Sequence, residues 1–399
     1  MTQPSLQPDP TDLIAGVPGT RTHVLSGFTD PSTESGEPML LQSSVARQGG
    51  RIPATIVDEA VLFPLLQNAY SFGRWHSWRR TDKGSSNISW FVQTDAGAMV
   101  LRRSHNLKTV AGARFEFALI EHLRGHGYPA PPIQRTRDGA IYFQVQGVLH
   151  MVTGLLPGSA YDPGDPAQLE LAARGLGRYH SIVSELTPAG EPNRSSGLAS
   201  LGQPGQENLY AAVNVVVPLL PPQAAAALTE DARYLGERME QLNVGLGERQ
   251  KELRSLVIHG SYGQSAVLVD GHQLTGVLDF DRSAHDLLAL DLTYALRSFC
   301  REIQMRPDGP SINTDLGRAF LRHYRSQASL PDADLAALPE AFQAQRLIVV
   351  AKKCQNLLTK QAIVPRQSKD ALSFSLLLQR ECARVRWSTH NPFPLKEDA

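Results

Sequence analysis

A histidine–glycine turn that leads into an apolar strand is the part of this sequence with the clearest chemical pattern. The stretch reads HGSYGQSAVLVDG from His259, and LTGVLDFD follows, ending in Asp279 and Asp281. A loop of this outline is typical of phosphoryl transfer, where the protein positions groups and neutralises charge with carboxylates and metal ions. Asp279 and Asp281 offer the oxygen ligands that Mg²⁺ prefers. Ser261 and Ala266, however, stand where such a loop holds its carboxylate and its metal-binding amide.

Two charged residues upstream extend this pattern. Arg102 lies in a strand-like run, VLRR, and Glu116 follows fourteen residues later in a helix-like segment. A glycine-containing connector, residues 154–158, then leads toward the His-Gly loop. This order of segments is typical of a two-lobed phosphotransferase, in which a cation on a strand and a glutamate on a helix act together. We expect Arg102 and Glu116 to form an ion pair; the alternative is two exposed charges.

In this order the segments resemble the aminoglycoside phosphotransferase and choline kinase superfamily, over residues 70–390. They are similar in particular to its bacterial homoserine-kinase-like and spore-coat-kinase-like members. The resemblance implies an α+β, two-lobed, protein-kinase-like fold with a small β-rich N-lobe and a larger helical C-lobe. It also implies ATP and Mg²⁺ as cofactors, and a small-molecule or peptide hydroxyl as the phosphoryl acceptor.

The resemblance assigns expected roles to individual residues. Ser261 takes the place of the family's catalytic aspartate and Ala266 that of its metal-binding asparagine. Asp279 matches the aspartate that holds magnesium, and Asp291 matches one that braces the catalytic loop. The expected nucleotide contacts are Gly84, Ser85, Ser86, Arg102, Glu116 and Leu155. For the three residues of the DKGSSN segment, an ordinary hairpin turn is the alternative.

The two departures from the family pattern weaken the expected chemistry. A serine hydroxyl has neither the charge nor the basicity of a carboxylate, and loss of a general base typically slows a reaction by about 10²- to 10⁴-fold. An alanine at 266 offers no oxygen, so that one metal ion would depend on Asp279, phosphate oxygens and water. The sequence therefore predicts an impaired phosphotransferase of the pseudokinase type, which binds a nucleotide, another ligand or a partner.

Two other functions stay open. The first is an active ATP-dependent phosphotransferase whose base comes from another group, with Asp281, Asp270, His259 and His285 as neighbours in sequence. The second is a repurposed active site on the same scaffold, because a fold does not fix a reaction. For Asp281 the plainer interpretation is a solvated or loop-capping carboxylate. For His259 it is a buried ring that holds the loop.

Composition excludes several other classes of protein. The chain has 39 basic and 39 acidic residues, so no net charge attracts nucleic acid or an anionic membrane. No apolar run approaches the ~18 residues of a membrane span. Three widely spaced cysteines suggest buried thiols in a reducing cytoplasm rather than disulfides or a metal site. We therefore expect a cytoplasmic protein with a small-molecule or peptide ligand, or a protein partner.

A chain of 399 residues is also too long to fold around one small hydrophobic core, which favours two lobes. Residues 1–55 are rich in Pro, Ser, Thr and Gly and are predicted to be a partly disordered extension. Residues 56–154 are predicted to form the β-rich, nucleotide-binding N-lobe. Residues 155–399 are predicted to form the helical C-lobe with the strand cluster of the catalytic loop.

Overall fold

The structure is a computed structural model of the 399-residue chain. It describes residues 58–81, 87–105, 108–188, 190–192, 196–301, 312–359 and 368–390. The predicted N-terminal extension, residues 1–55, lies outside the described residues. So do Gly84, Ser85 and Ser86, three of the predicted nucleotide contacts.

The chain divides into two compact units. The first consists of Met1–Phe117 and Pro131–Leu156, and the second of Ala118–Ala130 and Pro157–Ala399. The first unit is rich in strands, whereas most of the second is helical. This is the predicted α+β architecture, with a small β-rich lobe and a larger helical one.

The first unit is built on one antiparallel sheet. Its strands are β1 (Trp75–Arg80), β2 (Ile88–Thr94), β3 (Gly97–Arg103), β4 (Phe143–Val145) and β5 (Val148–Gly154). They are arranged in the order β1–β2–β3–β5–β4, and β3 lies at the centre. The register places Arg102 of β3 between Ser89 on β2 and Met151 on β5. Arg102 is therefore held on both sides by main-chain pairing.

Helix α1 (Glu59–Ala69) covers the aromatic face of this sheet. Asp58 caps the helix by accepting a hydrogen bond from the main-chain N–H of Ala60, at 3.0 Å. The ring of Phe63 stacks on that of Trp78 with the centroids 4.0 Å apart. The carboxylate of Glu59 accepts the indole N–H groups of Trp78 and Trp90 at 3.0 and 2.7 Å. Glu59 thus satisfies two of the indole N–H groups in this aromatic core, whereas the indole N–H of Trp75 is buried without an acceptor among the described residues.

Helix α2 (Val110–Gly125) carries Glu116. Thr109, just before the helix, accepts a hydrogen bond from the main-chain N–H of Gly112 at 2.9 Å, as an N-cap residue does. Gly127 follows the helix with a φ of 69°, a conformation that glycine adopts without steric cost. These local signals fix both ends of the helix that positions Glu116.

Short strands in the second unit frame the His-Gly loop. They are β6 (Ser159–Ala160), β7 (Ser255–Ile258), β8 (Val267–Asp270), β9 (Gln273–Val277) and β10 (Ala284–Leu287). Strands β6, β8 and β9 form one small sheet, and β7 pairs with β10. The His-Gly loop runs from the end of β7 to the start of β8. Both ends of the loop are therefore fixed by strand pairing.

Helices make up the rest of the second unit. They are α3 (Pro166–Ile182), α4 (Gln203–Val216), α5 (Pro222–Glu248), α6 (Leu288–Phe299), α7 (Thr314–Arg325), α8 (Asp332–Thr359) and α9 (Ser368–His390). Helix α8 packs against α4, α6 and α9, and α3 packs against α7. Helix α6 begins directly after β10, so its first turn lies beside the strands that hold the loop.

The cysteines lie in this helical unit. Cys300, Cys354 and Cys382 are all buried and carry free thiols. Burial raises the pKa of each thiol to about 12, so the three are protonated at neutral pH. Of the helices within the described ranges, none combines the length and the apolar character that crossing a bilayer requires.

Candidate phosphotransferase site

The His-Gly loop is held by one buried carboxylate, that of Asp291 in the first turn of α6. Its Oδ2 accepts the main-chain N–H of His259 at 2.8 Å, and its Oδ1 accepts that of Gly260 at 2.8 Å. Gly260 has a φ of 75°, in the left-handed region that favours glycine. The carboxylate therefore stabilises a turn whose two N–H groups have no strand partner.

A second layer of hydrogen bonds orients Asp291. The Nε2 of His180, at the end of α3, lies 3.1 Å from Oδ2 of Asp291. The Nδ1 of the same ring lies 2.9 Å from the hydroxyl of Tyr324 on α7. The consistent arrangement has Nε2–H donating to Asp291 and Nδ1 accepting from Tyr324. The carboxylate and imidazole are fully buried, so this chain links three helices to the loop.

These contacts also set the charge of Asp291. Burial raises the pKa of its carboxyl group, but the hydrogen bond and charge of His180 and the N–H of His259 outweigh it. The net pKa lies below the ordinary value, so the group is a carboxylate at neutral pH. An ionised acceptor makes stronger hydrogen bonds than a neutral one, which suits the bracing position.

Ser261, which the resemblance aligns with the family's catalytic aspartate, is buried and only 5 % exposed. Its hydroxyl donates a hydrogen bond to the main-chain carbonyl of Asp279 at 2.9 Å. Its main-chain N–H points to Nδ1 of His259, 3.3 Å away. The serine therefore connects the loop to the strand end that carries Asp279, and its proton is directed at a carbonyl oxygen.

Asp279 has an unusual backbone conformation. Its φ of 71° and ψ of 51° place it in the left-handed region, which aspartate enters more readily than most residues but at some steric cost. The main chain is held on both sides: Leu278 donates its N–H to the carbonyl of Ala266 at 2.8 Å, and Ser261 bonds to the carbonyl of Asp279. Strained residues that are fixed in this way cluster at functional sites.

Ala266 ends a single 3-10 turn and is 1 % exposed. Its main-chain N–H donates to the carbonyl of Gly263 at 2.8 Å. Its side chain contributes no oxygen, so the loop retains its shape at this position without the amide that the resemblance expects.

His259 is enclosed by aromatic rings. Its ring lies 4.8 Å from that of Phe280, 5.5 Å from Tyr262 and 5.8 Å from Tyr179, measured between centroids. Burial lowers the pKa of His259 to about 4, although the charges of Asp291 and Asp281 oppose the shift. The imidazole is therefore neutral at physiological pH, and its surroundings are those of a packed ring.

The remaining candidate bases lie at different distances from this network. Asp281 is partly buried in a 3-10 turn, and its charge acts on His259. Asp270 ends β8 and is exposed, and His285 on β10 is also exposed. Asp281 is thus the one of these three that the structure brings to the loop.

The first unit contains a second charged cluster, around Glu116. The carboxylate bonds to the guanidinium of Arg102 at 2.5 Å, as predicted from their order in the chain, and also to the ammonium group of Lys108. Lys108 is 2 % exposed in its side chain, Glu116 3 % and Arg102 17 %. Leu155, one of the predicted nucleotide contacts, is 38 % exposed and donates its main-chain N–H to the carbonyl of Ala98 at 3.3 Å.

Sequence reasoning did not find Lys108. The available signal was position, since Lys108 directly precedes the helix that carries Glu116 and its charge is opposite. Tyr324 was missed for a different reason: its contact with His180 spans 144 residues, and no local pattern marks it.

Comparison with known proteins gives the family. The profile described as the phosphotransferase enzyme family, APH, matches residues 77–334. The chain belongs to this family.

Relatives and solved structures agree with this assignment. A homoserine kinase from Bradyrhizobium sp. (strain ORS 278) is 26% identical over 272 residues, which is 68% of this chain and 77% of the relative. An amicoumacin kinase in complex with AMP-PNP, Ca²⁺ and its antibiotic has a TM-score of 0.59 at 13% identity, covering 82% of this chain and 93% of that one. A choline kinase from Cryptosporidium parvum has a TM-score of 0.53 at 10% identity, covering 84% and 96%. The superfamily resemblance and the kinase-like fold are thereby confirmed.

The residues of this phosphotransferase-family chain fit a magnesium ion whose ligands are mostly phosphate oxygens and water, with few protein side chains. Across the described ranges, no group of three or more His, Cys, Asp or Glu side chains converges as a metal site. Mg²⁺ commonly keeps several waters and takes one or two carboxylates together with phosphate oxygens. Asp279, and Asp281 two residues later, can supply such carboxylates.

The Glu116 cluster makes a prediction about stability. Replacing Glu116 with Ala leaves Lys108 buried without its counter-charge, which typically costs about 3–5 kcal/mol. The matched control is Glu237→Ala, which removes an exposed ion pair with Arg233 and should cost at most about 1 kcal/mol. Urea unfolding followed by tryptophan fluorescence measures both. Equal destabilisation by the two variants would contradict the buried pairing.

The buried His259 makes a prediction about pH. An unfolded chain binds the proton of a histidine near pH ~6.5, whereas folded His259 binds it near pH 4. The contribution of His259 to the free energy of unfolding is therefore fully present above the pKa of the unfolded histidine. It declines as the pH falls toward 4, by about 1.4 kcal/mol per pH unit for one proton.

His259→Gln should remove about one of the protons that the chain takes up on unfolding between pH ~6.5 and pH 4, and so reduce the slope of stability against pH. The buried His150, whose pKa burial also lowers to about 4, supplies a further contribution that remains. Exposed His272→Gln is the control and is expected to keep the wild-type slope. Urea unfolding at a series of pH values provides the slopes, and an unchanged slope in His259→Gln would show that the ring is not a buried neutral base.

Proposed function

We propose that this protein is a phosphotransferase-family member that binds a nucleotide with magnesium and transfers its phosphoryl group poorly. The observation that carries the proposal is the bond from the Ser261 hydroxyl to the carbonyl of Asp279. A working loop of this family needs a group that accepts the proton of the acceptor hydroxyl. A buried serine that donates its own proton to the main chain supplies no such group.

Nucleotide binding is proposed for the charged groups that remain. Arg102, supported by Glu116, would contact phosphate oxygens, since a guanidinium binds phosphate through two parallel N–H bonds. Asp279 would hold magnesium together with phosphate oxygens and water. When bound, magnesium would neutralise charge on the phosphates. The amicoumacin kinase with AMP-PNP and Ca²⁺ supports a nucleotide and a divalent cation as ligands of this fold.

The cost of the two replacements defines the size of the impairment. Loss of a positioned base slows proton transfer by about 10²- to 10⁴-fold. Loss of the amide at position 266 weakens the placement of a metal ion in the same transition state, so that the two effects need not add. We therefore propose that the bound triphosphate is long-lived, and that the protein acts through binding a ligand or a partner.

A second candidate function rests on Asp281. Its charge acts on His259, so the carboxylate lies close to the loop and could accept a proton in place of residue 261. Under this alternative the chain is an active ATP-dependent kinase. The homoserine kinase relatives support a small hydroxylated molecule as its acceptor, and homoserine is the first to be tested.

Restoring the family residue separates the two candidates. Ser261→Asp should raise ATP-dependent phosphate transfer by about 10²-fold or more if the wild type lacks a base. The exposed control Ser184→Asp, on a site away from the loop, should change nothing. Ser261→Asp together with Ala266→Asn is a second variant, but Ala266 is buried, so each variant is first checked by its melting temperature.

ADP release is measured with homoserine and with water as acceptors. Strong wild-type turnover that Asp281→Asn abolishes and Ser261→Asp does not increase would reject the proposal in favour of the active kinase. A melting temperature that magnesium-ATP does not raise would reject both candidates, because a ligand of the native state must stabilise it.

A further inference from the structure

Four arginines and one glutamate of the helical unit lie close together, two of the arginines beside Glu381 and two beside the ring of Tyr294. Arg282 lies in the 3-10 turn that follows Asp279, Arg297 on α6, Arg346 on α8, and Arg384 with Glu381 on α9. The arginines come from four separate segments of the chain, and the pair of Glu381 with Arg384 is the one local ion pair of the group, three residues apart on α9.

Glu381 is the carboxylate of the group and contacts two of the four arginines. Its Oε1 lies 2.6 Å from Nη1 of Arg384, and its Oε2 lies 3.6 Å from Nη1 of Arg346. The side chains of Glu381 and Arg346 are 5 % and 7 % exposed, and that of Arg384 is 14 % exposed. One buried carboxylate is thus shared by two guanidinium groups.

The other two arginines approach one aromatic ring. The guanidinium carbon of Arg297 lies 5.1 Å from the ring centroid of Tyr294, and that of Arg282 lies 5.9 Å from it. A cation over a ring gains modest attraction, well below that of a full counter-charge. Within the part of the chain that the structure describes, neither guanidinium bonds to a carboxylate.

The charge of the group is therefore unbalanced, with four cations for one bonded anion. Burial, followed by the repulsion of Arg297, lowers the pKa of Arg346 to about 9, while Glu381 opposes the shift. Burial and the charges of Arg282 and Arg384 likewise lower the pKa of Arg297. Guanidinium groups nevertheless stay protonated in proteins, so the repulsion persists in the folded chain.

Three of the four arginines also carry buried hydrogen-bond donors that have no acceptor in the described part of the chain. The Nε atoms of Arg282, Arg346 and Arg384 are buried and have no acceptor among the described residues. Buried donors are almost always paired, and leaving one unpaired costs free energy. Oε2 of Glu381 is buried and unpaired within the described ranges as well, but one carboxylate oxygen cannot serve three donors on three arginines, which indicates that a further acceptor belongs there.

The group adjoins the His-Gly loop. Gln264 of the loop donates its main-chain N–H to Oγ of Ser298 at 3.0 Å. A Cβ atom on Gly263 would lie only 2.6 Å from Ser298 Oγ and 3.4 Å from Tyr294, so the loop backbone is pressed against α6. Tyr294 is also the ring that Arg282 and Arg297 approach. A ligand at the arginines would thus lie beside the loop.

We propose that Arg282, Arg297, Arg346 and Arg384 bind a doubly charged anionic group, a phosphate or a dicarboxylate, of a small-molecule ligand. Guanidinium groups match the geometry of both anions with paired N–H bonds. Two guanidinium groups that bond no carboxylate within the described residues, those of Arg282 and Arg297, suit a dianion better than a single carboxylate. That this ligand takes the place of the phosphoryl acceptor rests on the proposed function; the binding of the anion does not.

Anion titrations without nucleotide test the site. The melting temperature of the full-length protein is followed against inorganic phosphate, malonate and acetate, with ionic strength held constant by sodium chloride. The wild type should be stabilised by phosphate or malonate, and the stronger of the two identifies the ligand as phosphorylated or dicarboxylic. Acetate should have a small effect, and an effect as large as that of the dianions would overturn the assignment of charge.

Variants locate the site. Arg297→Gln and Arg346→Gln should each weaken anion binding by about tenfold or more, because each removes a charge-assisted hydrogen bond. Exposed Arg233→Gln is the matched control and should titrate as the wild type does.

A structural role gives a different result. If the arginines only stabilise the fold, Arg297→Gln lowers the melting temperature with and without anion; if they bind an anion, removing a repelling charge leaves the anion-free melting temperature unchanged or higher. A wild type that responds to neither dianion, or arginine variants that respond as it does, would overturn the proposal. Failure of nucleotide binding would leave this result unaffected.

Discussion

The buried carboxylate of Asp291 is the constraint on which the loop depends. It accepts two consecutive main-chain N–H groups, those of His259 and Gly260, in a region that excludes water. A charged acceptor in such surroundings is stable only because His180 bonds to it as well. Removing any one member leaves a buried polar group unpaired. The loop therefore keeps the outline of a phosphotransferase loop for reasons that do not involve the residue at position 261.

This separation explains how the chain could retain the fold while losing the part of the chemistry that we propose it has lost. Asp279 is still forced into a left-handed conformation, and the bond from Ser261 helps to hold it there. The serine thus stabilises the main chain that presents Asp279, whereas a carboxylate at that position could not donate such a bond when ionised. Under the proposed function, the serine that weakens proton transfer would also stabilise the strand end that carries the metal ligand Asp279.

The sequence predicted those features that depend on local order along the chain. The pairing of Arg102 with Glu116 followed from their order in the chain, whereas the fold class and the expected places of Asp279 and Asp291 followed from the family resemblance. The acceptor of the Ser261 hydroxyl could not be predicted, because Asp279 approaches it only through the pairing of β8 with β9. Similarly, the arginines of α6, α8 and α9 meet through helix packing, and each alone reads as an ordinary surface charge. Contacts between side chains on different helices cannot be predicted from the order of the residues in the sequence.

The most direct test of the account is ³¹P NMR of the full-length protein with stoichiometric magnesium-ATP and a panel of small hydroxylated acceptors. The account predicts that the phosphorus signals of ATP shift or broaden on binding, and that ADP and any phosphorylated product form at least about 10²-fold more slowly than in working kinases. Conversion of the bound ATP at the roughly 1–100 turnovers per second of working kinases would contradict it.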